Sequence, residues 1–199
     1  MKSAQQFWDK AAARYAKSPV KDEASYQKKL AITRDYFQPD WSVFEFGCGT
    51  GSTAILHAPF VRDILATDVS AKMLEIAEAK ARDGGIDNIR FQQGTLDSLS
   101  LTPGSFDAVL GLNILHLVED PEAAISRVSS LLKPGGVFVS TRGRGNRRGR
   151  RRRSWGRRVF RVFSGHRHPG LLRWPSPASS AAVPSVAPRG NRSRFRSSF

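Results

Sequence analysis

Glu45-Phe46-Gly47-Cys48-Gly49-Thr50-Gly51 is followed, seventeen positions after its last glycine, by Asp68. Ahead of it lies a short β-type run (Trp41, Val43, Phe44, Phe46), and behind it a segment able to open a helix. The glycines therefore fall where a parallel α/β sheet receives a ligand. Glycine at 47, 49 and 51 lets the chain turn sharply and leaves room for a ligand against the main chain, which a Cβ would crowd. Amides at the start of the following helix favour a negative group such as a carboxylate or phosphate. Asp68 follows the apolar run Ile64-Leu65-Ala66, and an acid at the end of such a strand can accept both hydroxyls of a ribose.

The spacing narrows the nucleoside. A dinucleotide fingerprint reads G-x-G-x-x-G, and from Gly47 its third glycine would fall at position 52, which is Ser52. The chain reads G-x-G-x-G instead, with Glu45 two residues ahead. Three further blocks follow in order: A-T-D-V-S-A-K-M-L (66–74), G-S-F-D-A-V-L-G-L-N-I-L-H-L (104–117) and L-L-K-P-G-G-V-F-V-S-T (131–141). With these blocks the chain, over roughly residues 5–141, resembles the class I S-adenosylmethionine-dependent methyltransferases.

Helical and strand patterns alternate through the first 140 residues, which predicts a parallel sheet covered on both faces. With the resemblance this reads as an α/β, Rossmann-like three-layer sandwich. Helices are expected at 5–17 and about 23–37, strands at 43–46, 63–67, 89–92, 106–111 and 137–140, and helices at 51–58, from Ser70 to Gly84, and from Pro121 to Leu132. Ser70 is an expected N-cap, and Lys133-Pro134-Gly135-Gly136 is expected to break the helix that reaches Leu132. We divide the chain into N-terminal helices or lid (1–37), a cofactor-binding core (38–141) and an Arg/Ser/Pro-rich tail (142–199) expected to be disordered.

The net charge of +15 joins two unlike parts. Residues 1–140 carry 15 Lys and Arg against 17 Asp and Glu, whereas 141–199 carry 17 Arg, no Lys and no acid. A 59-residue segment of that composition has little prospect of a second core. The single cysteine, Cys48, excludes an intramolecular disulfide and fits a reducing, cytoplasmic compartment. Inside the glycine loop it reads as a small lining side chain in preference to a catalytic thiol. No apolar run reaches the roughly 20 residues of a membrane span, and the N-terminus lacks the apolar centre of a signal peptide.

The resemblance implies S-adenosylmethionine as cofactor and a small molecule as methyl acceptor. It places Gly47, Gly49 and Gly51 against the cofactor's methionine part and ribose, Asp68 on the ribose hydroxyls and Val69 beside the adenine. Glu45 either meets the ligand or holds the loop through its amides, and the two roles are compatible. Where the family often has an acid at the adenine amino group, this chain reads Gly94-Thr95-Leu96-Asp97, which leaves Thr95 with Leu96, or Asp97, for that contact. Asn113, at the end of the fourth strand, points to the place of the reactive methyl. Displacement at a sulfonium needs a positioned nucleophile more than a dedicated base, so neither a Ser-His-Asp set nor a metal site is expected. His116 and Asn113 are the catalytic candidates: His116 either serves as base for an oxygen acceptor or packs or caps at a helix start. Met73 reads as core, His57 as structural or solvent-facing, and Trp8 and Tyr15 as either a lid or plain packing.

The family usually continues after the fifth strand with a helix and two more strands, and nothing from 142 onward resembles that continuation. Arginine without lysine, beside Gly, Pro, Ser and Ala, is what a GC-rich frame read out of phase produces, so we expect a truncation or frameshift near residue 142, which sequencing the coding DNA would test. The fifth strand is then expected to become an apolar edge, with weak stability and little turnover as the consequence; Arg158 to Phe163 has some capacity to pair with it. Seventeen arginines also predict salt-sensitive, non-specific nucleic-acid binding, with a nucleic-acid-binding protein, an RNA methyltransferase or an inactive cofactor-binding fragment as the alternative functions.

Overall fold

The strand β1 (Ser42–Phe46) is buried along its whole length, and its alternate side chains feed two different cores. Val43 packs with Ile64, Ala66, Ala108, Leu110, Val137 and Val139 on one face of the sheet. Phe44 and Phe46 pack with Leu65, Phe106, Val109, Leu131 and Phe138 on the other. A strand apolar on both faces belongs in the middle of a covered parallel sheet, and that is where it lies. The computed structural model describes residues 2–20 and 22–141. Within them β1 is joined by β2 (Asp63–Asp68), β3 (Ile89–Gln93), β4 (Phe106–Leu112) and β5 (Leu132–Thr141), in the order β3-β2-β1-β4-β5. All four pairings are parallel.

On the Val43 face lie α3 (Ser52–His57) and α4 (Ala71–Asp83), with α1 (Lys2–Lys17) against α4 and α2 (Glu23–Arg34) against α3. On the Phe44 face α5 (Pro121–Leu131) places Ala124, Val128 and Leu131 in the core. The three-layer reading holds. Helix starts follow their sequence signals. Ser70 caps α4 by accepting from Met73 N at 3.1 Å, and Asp120 caps α5 by accepting from Glu122 N and Ala123 N, with Pro121 at the first helical position. Gly84 and Gly85 end α4, Gly85 at φ 64°.

Three expectations need adjustment. The second helix stops at Arg34, and the chain turns so that Phe37 enters the core beside His57. The third helix is only six residues long and tightens into a 3-10 turn at Ala58–Phe60, where Pro59 cannot supply a helical N–H. Lys133 to Gly136 does not precede the fifth strand but bulges from within it: Phe106 faces Leu132 while Ala108 faces Val137. A step of two residues along β4 thus opposes a step of five along β5, and the excess loops out through Gly135 at φ 80°. The expectations for 142–199 (disorder, the pairing of 158–163 with the edge, nucleic-acid contact) lie outside the described residues.

Candidate functional site

The strand order runs outward in opposite directions from β1 and β4, which opens a crevice at their carboxyl ends. The loop leaving β1 occupies it. Gly47, Gly49 and Gly51 all take left-handed backbone, at φ 66°, 56° and 70°, which explains the G-x-G-x-G spacing. Their surroundings differ. A Cβ at Gly47 would stand 2.6 Å from Ile114 Cγ1, and one at Gly51 would stand 2.7 Å from Ala77 Cβ. At Gly49 the nearest atom is Tyr15 Cε1, at 3.9 Å. Gly47 and Gly51 therefore serve packing, whereas Gly49 leaves room for a side-chain atom in ordinary contact with Tyr15.

Asp68 reaches this loop. Its Oδ2 accepts from Gly49 N at 2.8 Å and its Oδ1 from Ser70 N at 2.9 Å, so one carboxylate joins the glycine loop to the start of α4. Asp68 is not the N-cap of that helix, a position held by Ser70. Burial pushes its pKa above the usual carboxylate value, opposed by bonds from Ser70, Gly49 and Val69 amides.

Glu45, at the end of β1, is buried and its Oε2 has no hydrogen-bond partner. The loop-holding bond at Gly49 belongs to Asp68 rather than to Glu45. Burial pushes the Glu45 carboxyl up to about 8, with Lys29 drawing it down and Asp68 pushing it further up. Lys29 comes from α2, with its ammonium 4.5 Å from the Tyr26 ring centre, and burial lowers its pKa against the pull of Glu45. Tyr26 in turn shares a hydrogen bond of 3.3 Å with Thr53 of α3. Lys29 and Tyr26 were not legible as site residues, because only the seating of α2 on α3 brings them to the strand end.

Asn113 holds φ 59°, the one non-glycine left-handed residue among those described. Its N–H donates to Thr141 O at 2.9 Å, and its Oδ1 accepts from Thr141 Oγ1 at 3.3 Å. Asparagine tolerates that backbone better than most residues, and the turn it starts sends Ile114 over Gly47. His116 lies exposed in that turn instead of packing at a helix start. Val69 is partly buried, its carbonyl accepting from Gln93 Nε2 at 3.0 Å. Thr95 and Ser98 bond reciprocally, with Thr95 N donating to Ser98 Oγ at 2.8 Å and Ser98 N to Thr95 Oγ1 at 3.2 Å. The Leu96 side chain is spent in the core beside Leu65, and Asp97 is exposed.

Burial raises the Cys48 thiol well above its ordinary pKa, which disfavours a thiolate and suits a lining role. His57 is fully buried against Phe37, structural and not solvent-facing. Met73 is core. Asp9 of α1 accepts from Ser70 Oγ at 2.6 Å and from Lys72 N at 3.2 Å, which brings α1 to the crevice with Tyr15 above Gly49. Among the described residues there is no metal-ligating cluster of three or more His, Cys, Asp or Glu, and no helix long and apolar enough to cross a membrane. A cavity of about 490 Å³ opens at the opposite, amino ends of β2 and β3, lined by Arg62, Asp63, Asn88 and Arg90 among others. It lies away from the switch point where such sheets bind ligands.

Residues 43–136 match the family model for a methyltransferase domain. The chain is 35% identical over 97 residues to the uncharacterized methyltransferase YcgJ of Bacillus subtilis, a match covering 49% of this chain and 38% of that protein. The YcgJ crystal structure superposes with a TM-score of 0.56 at 30% identity, covering 58% of this chain and 50% of that one. A ubiquinone biosynthesis O-methyltransferase of Albidiferax ferrireducens is 34% identical over 101 residues, 50% of this chain and 40% of its own length. The fold also matches a Haemonchus contortus phosphoethanolamine N-methyltransferase 2 solved with S-adenosyl-L-methionine, at TM-score 0.55 and 22% identity over 59% of this chain and 28% of that one. The chain thus spans about two fifths of the length of the curated relatives named here.

Proposed function

We propose that this chain, whose core is a class I S-adenosylmethionine-dependent methyltransferase domain, binds S-adenosylmethionine at the Gly47–Gly51 loop and passes its methyl group to a small-molecule acceptor. The observation that carries the reading is the pairing of an orphaned buried carboxyl oxygen on Glu45 with a loop whose Gly49 leaves space that a Cβ would fill. A cationic amino-acid head suits that carboxyl.

When bound, the cofactor supplies a methyl group on a sulfonium, already activated for displacement. The chain's residues then bind and orient. Asp68, fixed at the loop by Gly49 N and Ser70 N, retains lone pairs for the ribose hydroxyls. Glu45 receives the ammonium of the methionine part, which favours its ionised form. With six residues, α3 has few aligned dipoles to offer a carboxylate, so Lys29 takes that group. Val69 and Thr95 flank the adenine, and Tyr15 covers the loop from α1. Asn113 holds the turn on which the acceptor side is built. For an oxygen acceptor, the chemistry named for the ubiquinone-pathway relatives, His116 receives the proton. A reducing, cytoplasmic setting belongs to the same reading, since one cysteine stands in 199 residues. No observation on the described core favours nucleic acid as the partner.

Calorimetric titration with S-adenosylhomocysteine tests the reading without a known acceptor. Micromolar binding is expected, lost in a Glu45→Gln, Asp68→Ala double variant; a folded protein that does not bind it refutes the proposal.

A further inference from the structure

Lys80 lies on α4, thirty residues from the loop it touches. Its Nζ donates to Thr50 O at 3.2 Å, to Thr50 Oγ1 at 3.0 Å and to Ser52 Oγ at 3.1 Å. An ammonium has three N–H groups, and all three are spent on Thr50 and Ser52. One turn earlier on the same face of α4 stands Ala77, whose Cβ a side chain at Gly51 would meet at 2.7 Å. The far end of the glycine loop therefore rests on a seat of two residues, one small and one cationic. Its near end is held by Asp68 at Gly49 N, and Asp68 is tied through Ser70 N to the start of the same helix.

Resting on the function proposed above, we propose that Lys80 is a positioning residue for the cofactor: it clamps Thr50 to Ser52 onto α4 and so fixes the backbone that presents Gly49 to the crevice. Stability alone does not account for the arrangement. The ammonium is partly buried, and its three hydrogen-bond partners on Thr50 and Ser52 are neutral oxygens with no carboxylate among them. What the contact supplies is shape. With Asp68 at one end and Lys80 at the other, α4 holds both sides of the three-glycine turn, so a ligand meets a preformed loop and does not have to order it.

The test combines residue-level hydrogen exchange of the loop amides with S-adenosylhomocysteine titration, on the full chain carrying Lys80→Met, Lys80→Arg or Lys72→Met. Lys72 makes an exposed ion pair with Glu75 on the same helix and serves as the control. Lys80→Met is expected to speed exchange at Gly49 and Gly51, whose amides bond to Asp68 Oδ2 and Cys48 O, and to weaken ligand binding, each by about tenfold, with Lys80→Arg recovering much of both and Lys72→Met losing neither. Unchanged exchange in Lys80→Met, or equal losses in Lys80→Met and Lys72→Met, overturns the inference. Should Lys80→Met fail to fold, Ser52→Ala removes one of the three acceptors: faster exchange of the loop supports the clamp, and wild-type exchange overturns it. A wild-type protein that binds no S-adenosylhomocysteine refutes the proposed function, while the exchange comparison still decides whether Lys80 holds the loop.

Discussion

Alanine at Gly49 and alanine at Gly51 should fail in different ways. Both positions hold left-handed backbone, φ 56° and 70°, so each substitution costs about 1–2 kcal/mol of strain. At Gly49 little more is added, since the new methyl would meet only Tyr15 Cε1 at 3.9 Å, an ordinary contact. At Gly51 the methyl would lie 2.7 Å from Ala77 Cβ, 3.2 Å from Phe91 Cε1 and 3.3 Å from Ala77 Cα. The Ala77 backbone cannot swing aside, and overpacking of this kind adds about 1–3 kcal/mol. Gly51→Ala should thus lose roughly 2–5 kcal/mol in all, a large share of a domain's stability, while Gly49→Ala loses about 1–2. Thermal melts followed by circular dichroism should show a fall of a few degrees for Gly49→Ala and at least twice that for Gly51→Ala. Titration should then show the reverse order of interest: Gly49→Ala, although folded, loses at least about tenfold in S-adenosylhomocysteine affinity because its methyl occupies the space the ligand needs. A Gly49→Ala protein that binds as the wild type does, or a Gly51→Ala protein no less stable than Gly49→Ala, would refute the division of roles.

Two further outcomes are expected. His57 is held neutral, its pKa brought down to about 3 from 6.5 by burial and by Arg34 and Lys29, so folding disfavours its protonation and stability rises with pH between those values. Glu45 is raised from 4.5 to about 8, so the folded state holds a proton that the unfolded state has lost, and stability falls as pH rises through that range. Each effect amounts to about 4–5 kcal/mol at most. They cancel between pH 4.5 and 6.5, leaving a plateau there and a decline toward pH 8. Melting temperature against pH should show this shape, with Glu45→Gln abolishing the alkaline decline; a wild-type stability that climbs from pH 6.5 to 8 would contradict it. Asp68→Ala leaves the amides of Gly49 and Ser70 without their acceptor, which should cost about 1–3 kcal/mol for the buried Ser70 amide and less for the part-buried Gly49 amide, and abolish measurable S-adenosylhomocysteine binding. Full affinity in a folded Asp68→Ala protein would remove Asp68 from the site.

The glycine spacing, the acid ending β2 and the strand-helix alternation specified the sheet, its parallel sense and the place of the crevice. These are local signals: left-handed backbone needs glycine, a helix start needs Ser70 or Asp120, and doubly buried strands read as apolar runs. Tertiary structure decided which glycine has room for a side chain, because the neighbours that crowd Gly47 and Gly51, Ile114 and Ala77, come from distant elements. It likewise decided that Asp68, not Glu45, holds the loop, since both acids lie near the carboxyl ends of adjacent strands and only the turn's path selects the amide acceptor. Lys29 and Lys80 sit among ordinary helical lysines in the sequence, and only the seating of α2 on α3 and of α4 on the glycine loop gives them their partners. Contacts across thirty residues leave no periodic trace in the chain, and so the backbone frame was readable from sequence while the polar groups that tune it were not.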